Sequence, residues 1–216
     1  MKEATFIPFT AKPGQSNNLE AFLQKGAKLV TQTEPNTLFW YALMGQDGSY
    51  GIIDFFPNEE GRAEHFAGQV AGALNESSSE LVLKGWDEGI VANISNASVL
   101  SSKQPEEQLS GATEATYILL NAQPGMEQTL ENLLTGAANV IKQTEPNTLL
   151  WTALKLSNNT FAIFDTFTDE TARAVHFDGK VAAALKDQAD ALVVGGWENG
   201  VLKNIHNFSI IAEAGK

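Results

Sequence analysis

Two segments of this chain are near-copies of each other. Thr33-Glu34-Pro35-Asn36-Thr37-Leu38-Phe39-Trp40 returns 111 positions later as Thr144-Glu145-Pro146-Asn147-Thr148-Leu149-Leu150-Trp151. The same spacing pairs Lys12-Pro13-Gly14 with Gln123-Pro124-Gly125, and Gly85-Trp86 with Gly196-Trp197. It also pairs Arg62-Ala63-Glu64-His65-Phe66 with Arg173-Ala174-Val175-His176-Phe177. No insertion is needed between Ala4 and Leu100. A repeat of this length is a domain or half-domain, far too long for a solenoid unit. The chain therefore has to fold as two similar bodies, residues 1–102 and 114–216. The polar stretch 103–113, with Pro105, reads as the linker between them.

Within each copy the apolar spacing gives the order strand, helix, strand, strand, helix, strand. The first strand is expected at Ala4–Thr10, with Ala115–Asn121 as its twin. Leu19, Phe22, Leu23, Ala27 and Val30 recur at helical spacing and predict a helix over Ser16–Gln32. Pro35 ends it, because proline lacks the N–H and biases the residue before it out of helical geometry. Thr37–Leu43 and Tyr50–Phe56 read as strands joined at Asp47-Gly48, a hairpin signal. Asn58, and Asp169 in the second copy, is a helix N-cap. The helix it starts is expected to run to about Leu74, and a last strand to cover Gly89–Leu100.

The order βαββαβ is the ferredoxin-like arrangement, with helices on one sheet face only. The central strands are apolar on both faces, unlike a sheet with one wet side. The second face needs a cover, and two copies in one chain provide it. The expected fold is α+β: two tandem ferredoxin-like domains packed sheet to sheet as an intramolecular pseudo-dimeric barrel.

Several functions are disfavoured at once. There is no cysteine, so no disulfide, thiolate nucleophile or thiolate-held metal. The net charge of −12 repels phosphate backbones, and no Lys/Arg cluster offsets it, so no nucleic-acid partner is expected. No run approaches the roughly 18 apolar residues of a membrane span, and the N-terminus lacks a signal-peptide pattern. A cytoplasmic location is the expectation. Phosphate-loop, dinucleotide and zinc-protease motifs are absent, and no cofactor or metal is expected.

Glu-Pro-x-Thr-Leu-x-Trp-x-Ala-Leu, an apolar strand ending in Asp-x-Phe, and Ala-x-His within a helix together resemble the antibiotic biosynthesis monooxygenase family. This family belongs to the dimeric α/β-barrel superfamily, whose usual member is one such domain that pairs as a homodimer. The matching residues are Glu34–Leu38 and Glu145–Leu149, with Asn where Gly is usual. Ile53-Asp54-Phe55-Phe56, Phe164-Asp165-Thr166-Phe167 and the Arg62–His65 and Arg173–His176 segments match as well. The resemblance covers nearly all of both copies. It implies a cofactor-independent monooxygenase acting on a small aromatic phenol or quinol, a monomer with an internal pseudo-dimer or a homodimer of such chains. Relatives that degrade haem are also known, but His65 and His176 lie earlier on the helix than that family's haem ligand.

Such an enzyme needs a base, donors for a developing oxyanion and a dry aromatic pocket, because a deprotonated phenol or quinol can itself reduce oxygen. His65 and His176 titrate near neutrality and recur in both copies, so they are the candidate bases. Asp54 and Asp165 end the preceding strand and can orient them. Arg62 and Arg173 sit three residues earlier on the same helix face, as oxyanion donors or as braces pinning helix to sheet. Trp40 and Trp151, each beside a small alanine, are candidate pocket walls or core. Asn36, Asn147 and Tyr41 are candidate ligand contacts, the two asparagines equally turn formers. Trp86 and Trp197 read as core or rim, and the unpaired His206 as a strand surface residue. The alternative to an enzyme is a protein of the same fold that binds a small apolar molecule without catalysis, or a stress-response protein.

Overall fold

A computed structural model describes residues 1–105 and 111–215. Residues 106–110 of the expected linker lie outside the described residues. The elements of the first copy are β1 (Glu3–Thr10), α1 (Ser16–Thr33), β2 (Phe39–Gly45), β3 (Ser49–Phe56), α2 (Glu59–Phe66), α3 (Gln69–Leu81), α4 (Gly85–Gly89) and β4 (Ser95–Lys103). The second copy repeats them as β5 (Glu114–Asn121), α5 (Glu127–Thr144), β6 (Thr148–Lys155), β7 (Thr160–Phe167), α6 (Glu170–Phe177) and α7 (Lys180–Leu192). A single π-helical turn over Gly196–Val201 stands where α4 does, and β8 (Ile205–Gly215) closes the chain.

The strands follow one closed hydrogen-bonded order, β1-β3-β2-β8-β5-β7-β6-β4. This is the pseudo-dimeric α/β barrel expected of two ferredoxin-like copies. The chain divides into two compact units, and neither coincides with one repeat. The first is Met1–Asn96 with Phe208–Lys216, the second Ala97–Asn207. In the first unit β8 pairs antiparallel with β2, Ala214 opposite Trp40. In the second unit β4 pairs with β6, Lys103 opposite Trp151. The last strand of each repeat thus completes the sheet of the other.

Two features of the helical layer differ from the sequence expectation. The helix starting at Asn58 is not continuous to Leu74. It stops at Phe66, and a second begins at Gln69, because Gly68 takes an extended conformation between them. A side chain at Gly68 has no room, since a Cβ there would lie 2.9 Å from both Glu34 Oε1 and the His65 carbonyl. The Trp86 segment is a helical turn, so β4 starts at Ser95 rather than Gly89. The N-caps are as expected: the Asn58 side chain accepts from the Gly61 N–H at 2.9 Å, and Asp169 from Ala172 at 2.8 Å.

Each unit has its own core. In the first, Leu19, Leu23, Ala27 and Val30 of α1 pack with Ile7, Trp40, Ile52 and Val70. In the second, Leu130, Leu134, Ala138 and Ile141 of α5 pack with Ile118, Trp151, Ile163 and Leu185. Alternation along β2 puts Trp40 and Ala42 on the helix side and Phe39, Tyr41 and Leu43 on the other, and all five are buried. Truncating Leu23 or its twin Leu134 to Ala should cost about 3 kcal/mol each, since both are fully buried. Urea unfolding of the two variants tests this, with similar losses expected because the environments repeat.

Candidate functional site

The candidate site of the first unit forms where the end of α1, the end of α2 and the middle of β3 converge. Asp54 is the cross-strand partner of Trp40, so the two side chains share the helix-facing side of the sheet. Its exposure is 0%. His65 stands one residue before the end of α2, between the rings of Phe56 and Phe66 at centroid distances of 5.4 and 5.5 Å. Glu34 follows the last residue of α1, and its backbone N–H still bonds to the Val30 carbonyl. An acid at a helix C-terminus is disfavoured by the helix dipole. Here it is offset by a partner: Glu34 Oε2 lies 2.5 Å from His65 Nδ1. Thr37 Oγ1 lies 3.3 Å from the same nitrogen and donates to Glu34 Oε2 at 3.2 Å. On the far side of the ring, His65 Nε2 is 3.4 Å from Asp54 Oδ2.

The second unit repeats this set. His176 Nδ1 is 2.6 Å from Glu145 Oε2, and its Nε2 is 3.2 Å from Asp165 Oδ2. Thr148 donates to Glu145 at 3.1 Å. Each imidazole is therefore clamped between two buried carboxylates. Burial alone would lower the His65 pKa, but Asp54 and then Glu34 outweigh it and raise it to about 10. His176 is raised to about 10 in the same way, by Asp165 and Glu145. Burial pushes Asp54 and Asp165 above the ordinary carboxylate range, against the pull of their histidines. The two carboxylates thus favour the imidazolium form of each histidine, which has no free lone pair. This works against the base role expected of them from the sequence.

One further property marks these residues out. Among the described residues, the buried side-chain oxygens and nitrogens lacking a hydrogen-bond partner all belong to this set. They are Glu34 Oε1, Trp40 Nε1, both oxygens of Asp54, and the same atoms of Glu145, Trp151 and Asp165. The 3.4 Å approach of His65 to Asp54 is an ion-pair contact, not an aligned hydrogen bond. A buried, unpaired polar atom costs on the order of 1–3 kcal/mol, so a set of them repeated in both units needs a reason.

The space beside them is small. In the first unit a chamber of about 20 Å³ is lined by Trp40, Asp54, His65, Phe66 and Trp86, among others. This is room for a single water. The second unit has a chamber of about 20 Å³ bounded by Trp151, His176, Phe177 and Trp197. A larger cleft of about 180 Å³ lies outside His65, along Glu34–Thr37 and the α2–α3 junction.

Of the residues singled out in the sequence, Asp54, His65 and Trp40 come together, as do Asp165, His176 and Trp151. Arg62 does not join them. Its guanidinium reaches the Ala4 carbonyl at 3.2 Å and Glu3 at 3.3 Å, and pairs with Glu59. Arg173 likewise engages Glu114, the Ala115 carbonyl and Glu170. Both arginines tie helix to first strand, which matches the brace and not the oxyanion donor. Asn36 donates to Glu64 Oε2 at 2.6 Å, outside the chamber. The backbone carbonyl of Asn147 accepts from Thr168 at 3.4 Å. Tyr41 stacks on Phe39 on the opposite sheet face from Trp40. Glu34 and Glu145 join the site as well, although in the sequence they mark only helix ends. The signal was there: an acid kept before proline in both copies, at the helix end that disfavours it.

Both histidines and both aspartates hold protons more tightly when folded than when unfolded, so stability falls as pH rises. The histidine contribution is complete below about pH 6.5, the unfolded value, and is lost as pH rises through about 10. Urea unfolding at pH 6, 8 and 10 should show this decline, and His65→Gln/His176→Gln should flatten it. Nitrogen NMR shifts of both rings at pH 8 should be those of doubly protonated imidazolium.

No family model matches the chain, and no curated protein does. Solved structures do. A candidate monooxygenase from Fusobacterium nucleatum is 13% identical with TM-score 0.81, covering 100% of this chain and 94% of its own. An anthrone oxidase-like protein is 13% identical with TM-score 0.61, covering 98% of this chain and 92% of its own. A ferredoxin-fold protein from Listeria monocytogenes related to antibiotic biosynthesis monooxygenases is 11% identical with TM-score 0.53, covering 97% and 95%. With the closed strand order and the βαββαβ repeats, these likenesses show that the chain shares the α/β-barrel fold of those structures, written here as one tandem duplication.

Proposed function

We propose that the chain is a cofactor-independent monooxygenase acting on a small aromatic phenol or quinol, with one site in each unit. The observation that carries this reading is the pairing of unsatisfied groups across β2 and β3. Trp40 Nε1–H is a donor without an acceptor, and the Asp54 carboxylate opposite it is an acceptor without a donor. A phenolic hydroxyl satisfies both, accepting from the indole and donating to the carboxylate. Asp54 then takes the hydroxyl proton, in the role the sequence had suggested for His65. Its raised pKa suits a base facing a weak acid. The His65 imidazolium beside it offsets the charge of the phenolate that forms. The phenolate passes electrons to oxygen. Oxygen bonds to the ring carbon as a hydroperoxide, and its O–O bond breaks. The ring C–H hydrogen and the hydroxyl proton leave with the outer oxygen as water, and a quinone carbonyl remains. The substrate thus supplies all four electrons, and no other reductant is needed.

An aromatic ring needs more space than about 20 Å³, so the side chains of Phe66, Val70 and Trp86 must part to admit it. The α2–α3 break at Gly68 is where such movement is least costly to the helices. The small chamber also favours a second reading, a protein of this fold with a filled core and no turnover. Oxygen uptake separates the two. Anthrones, naphthols and hydroquinones under air should give uptake above autoxidation, and Asp54→Asn/Asp165→Asn should reduce it about 100-fold. Uptake no faster than autoxidation across the panel would sink the enzymatic reading.

A further inference from the structure

The chambers of the two units are walled alike, but what stands behind the walls differs by one methyl group. Ile7, Trp40, Ile52, Phe66, Val70 and Trp86 of the first chamber all have identical twins in the second unit. One lining position differs: Ile90 is replaced by Val201, which takes a methylene from the second wall. Both chambers still come to about 20 Å³, so resting volume does not separate them.

The space behind the indole does. Gly26 lies on the buried face of α1. A Cβ there would lie 3.7 Å from Trp40 Cη2, and 3.8 Å from Trp40 Cζ2 and Val70 Cγ1. These are ordinary contact distances, so a methyl group would fit without displacing either wall residue. The twin of Gly26 is Ala137, 5% exposed and packed in one core with Trp151 and Leu185. The second unit thus carries the methyl that the first leaves out.

Stability gives no reason for the glycine. Inside a helix it loses more backbone freedom on folding than alanine, and alanine here would add apolar burial as well. The α5 helix has a glycine too, but Gly136 is exposed, and a Cβ there would meet nothing within 4 Å. Only the first copy keeps its helix glycine against the chamber wall. Protein interiors hold few voids, so a ring enters a small chamber only where side chains have somewhere to go. Trp40 and Val70 have a methyl-sized space behind them, and Trp151 has Ala137.

We propose that Gly26 sets the ring size the first site takes, admitting fused-ring phenols, while Ala137 restricts the second site to single-ring phenols. This rests on the reading of the chambers as phenol sites, and it makes the two sites unequal in substrate. One methyl group in an apolar pocket discriminates by about 10-fold or more.

The test is an NMR titration of the intact chain under nitrogen with 2-naphthol and with phenol. The indole Nε1–H resonances of Trp40 and Trp151, assigned with Trp40→Phe and Trp151→Phe, report each unit separately. 2-Naphthol should bind at Trp40 about 10-fold more tightly than at Trp151, and phenol about equally at both. Gly26→Ala should weaken 2-naphthol at Trp40 about 10-fold and leave phenol unchanged, with no loss of stability in urea. Ala137→Gly should tighten 2-naphthol at Trp151 by a similar factor, and far-UV circular dichroism checks that it is folded. Equal 2-naphthol affinity at the two indoles, no shift of either, or unchanged affinity in Gly26→Ala would each overturn the proposal. Oxygen is absent from the titration, so unequal binding by a chain that takes up no oxygen supports the size rule while sinking the oxygenase reading.

Discussion

Burying an imidazole and two carboxylates under a helix is expensive unless the charges meet one another, because each ion gives up its hydration. In both units the meeting is arranged by three separate elements. Glu34 comes from the end of α1, Asp54 from β3 and His65 from the end of α2, and the distances of 2.5 and 3.4 Å require all three to be in register. The rest of the helical layer follows from this demand. The α2 helix must stop so that Glu34 can reach the ring, Gly68 must lack a side chain, and Phe56 and Phe66 must enclose the imidazole. Arg62 and Arg173 then hold the short helices down from outside, at the first strands of their units. The cluster still leaves polar atoms unpaired, and those atoms are where the chemistry is proposed to occur.

Local and repeated features were legible in the sequence. The 111-residue spacing, the helix stripes, the Asp-Gly turn and the Asn58 cap all act within a few residues, and each copy checks the other. The Asp54–His65 proximity was legible because a short connection joins strand to helix. Three things were not. The break at Gly68 sits against Glu34, a tertiary contact that no helical periodicity reveals. The exchange of β4 and β8 between repeats depends on which strand edge each one meets, and the apolar pattern of a strand is the same for either edge. The environment of His65 depends on Asp54 and also on Glu34, an acid 31 residues away whose sequence context marks only a helix end.

The two units share the clamp but not its surroundings. Glu34, Asp54, His65, Thr37 and Trp40 all have identical twins, while Glu64, Gln69 and Tyr41 have become Val175, Lys180 and Thr152. The inner set is over-determined by mutual contact, and a change in any member strands a buried charge. The outer residues face solvent or a separate packing layer and can drift. Divergence is therefore greatest where a ligand would first meet the protein and least where a proton would move.

The strand ends have a consequence for connectivity. In the first unit β1 begins opposite the end of β3, Glu3 against Phe56, and β8 ends opposite the start of β2, Gly215 against Phe39. In the second unit β5 begins opposite the end of β7, Glu114 against Phe167, and β4 ends at Lys103 against Trp151. By the 111-residue spacing, Gly215 is the twin of Gln104 and Glu3 of Glu114, so the gap from Gly215 to Glu3 is the twin of the one that residues 105–113 span. The order of elements is thus a cycle with one seam. A circular permutant with a copy of the linker joining β8 to β1, opened between β4 and β5 instead, would keep every strand partner it has now. In topological terms the β4–β5 and β8–β1 connections are equivalent places in the fold.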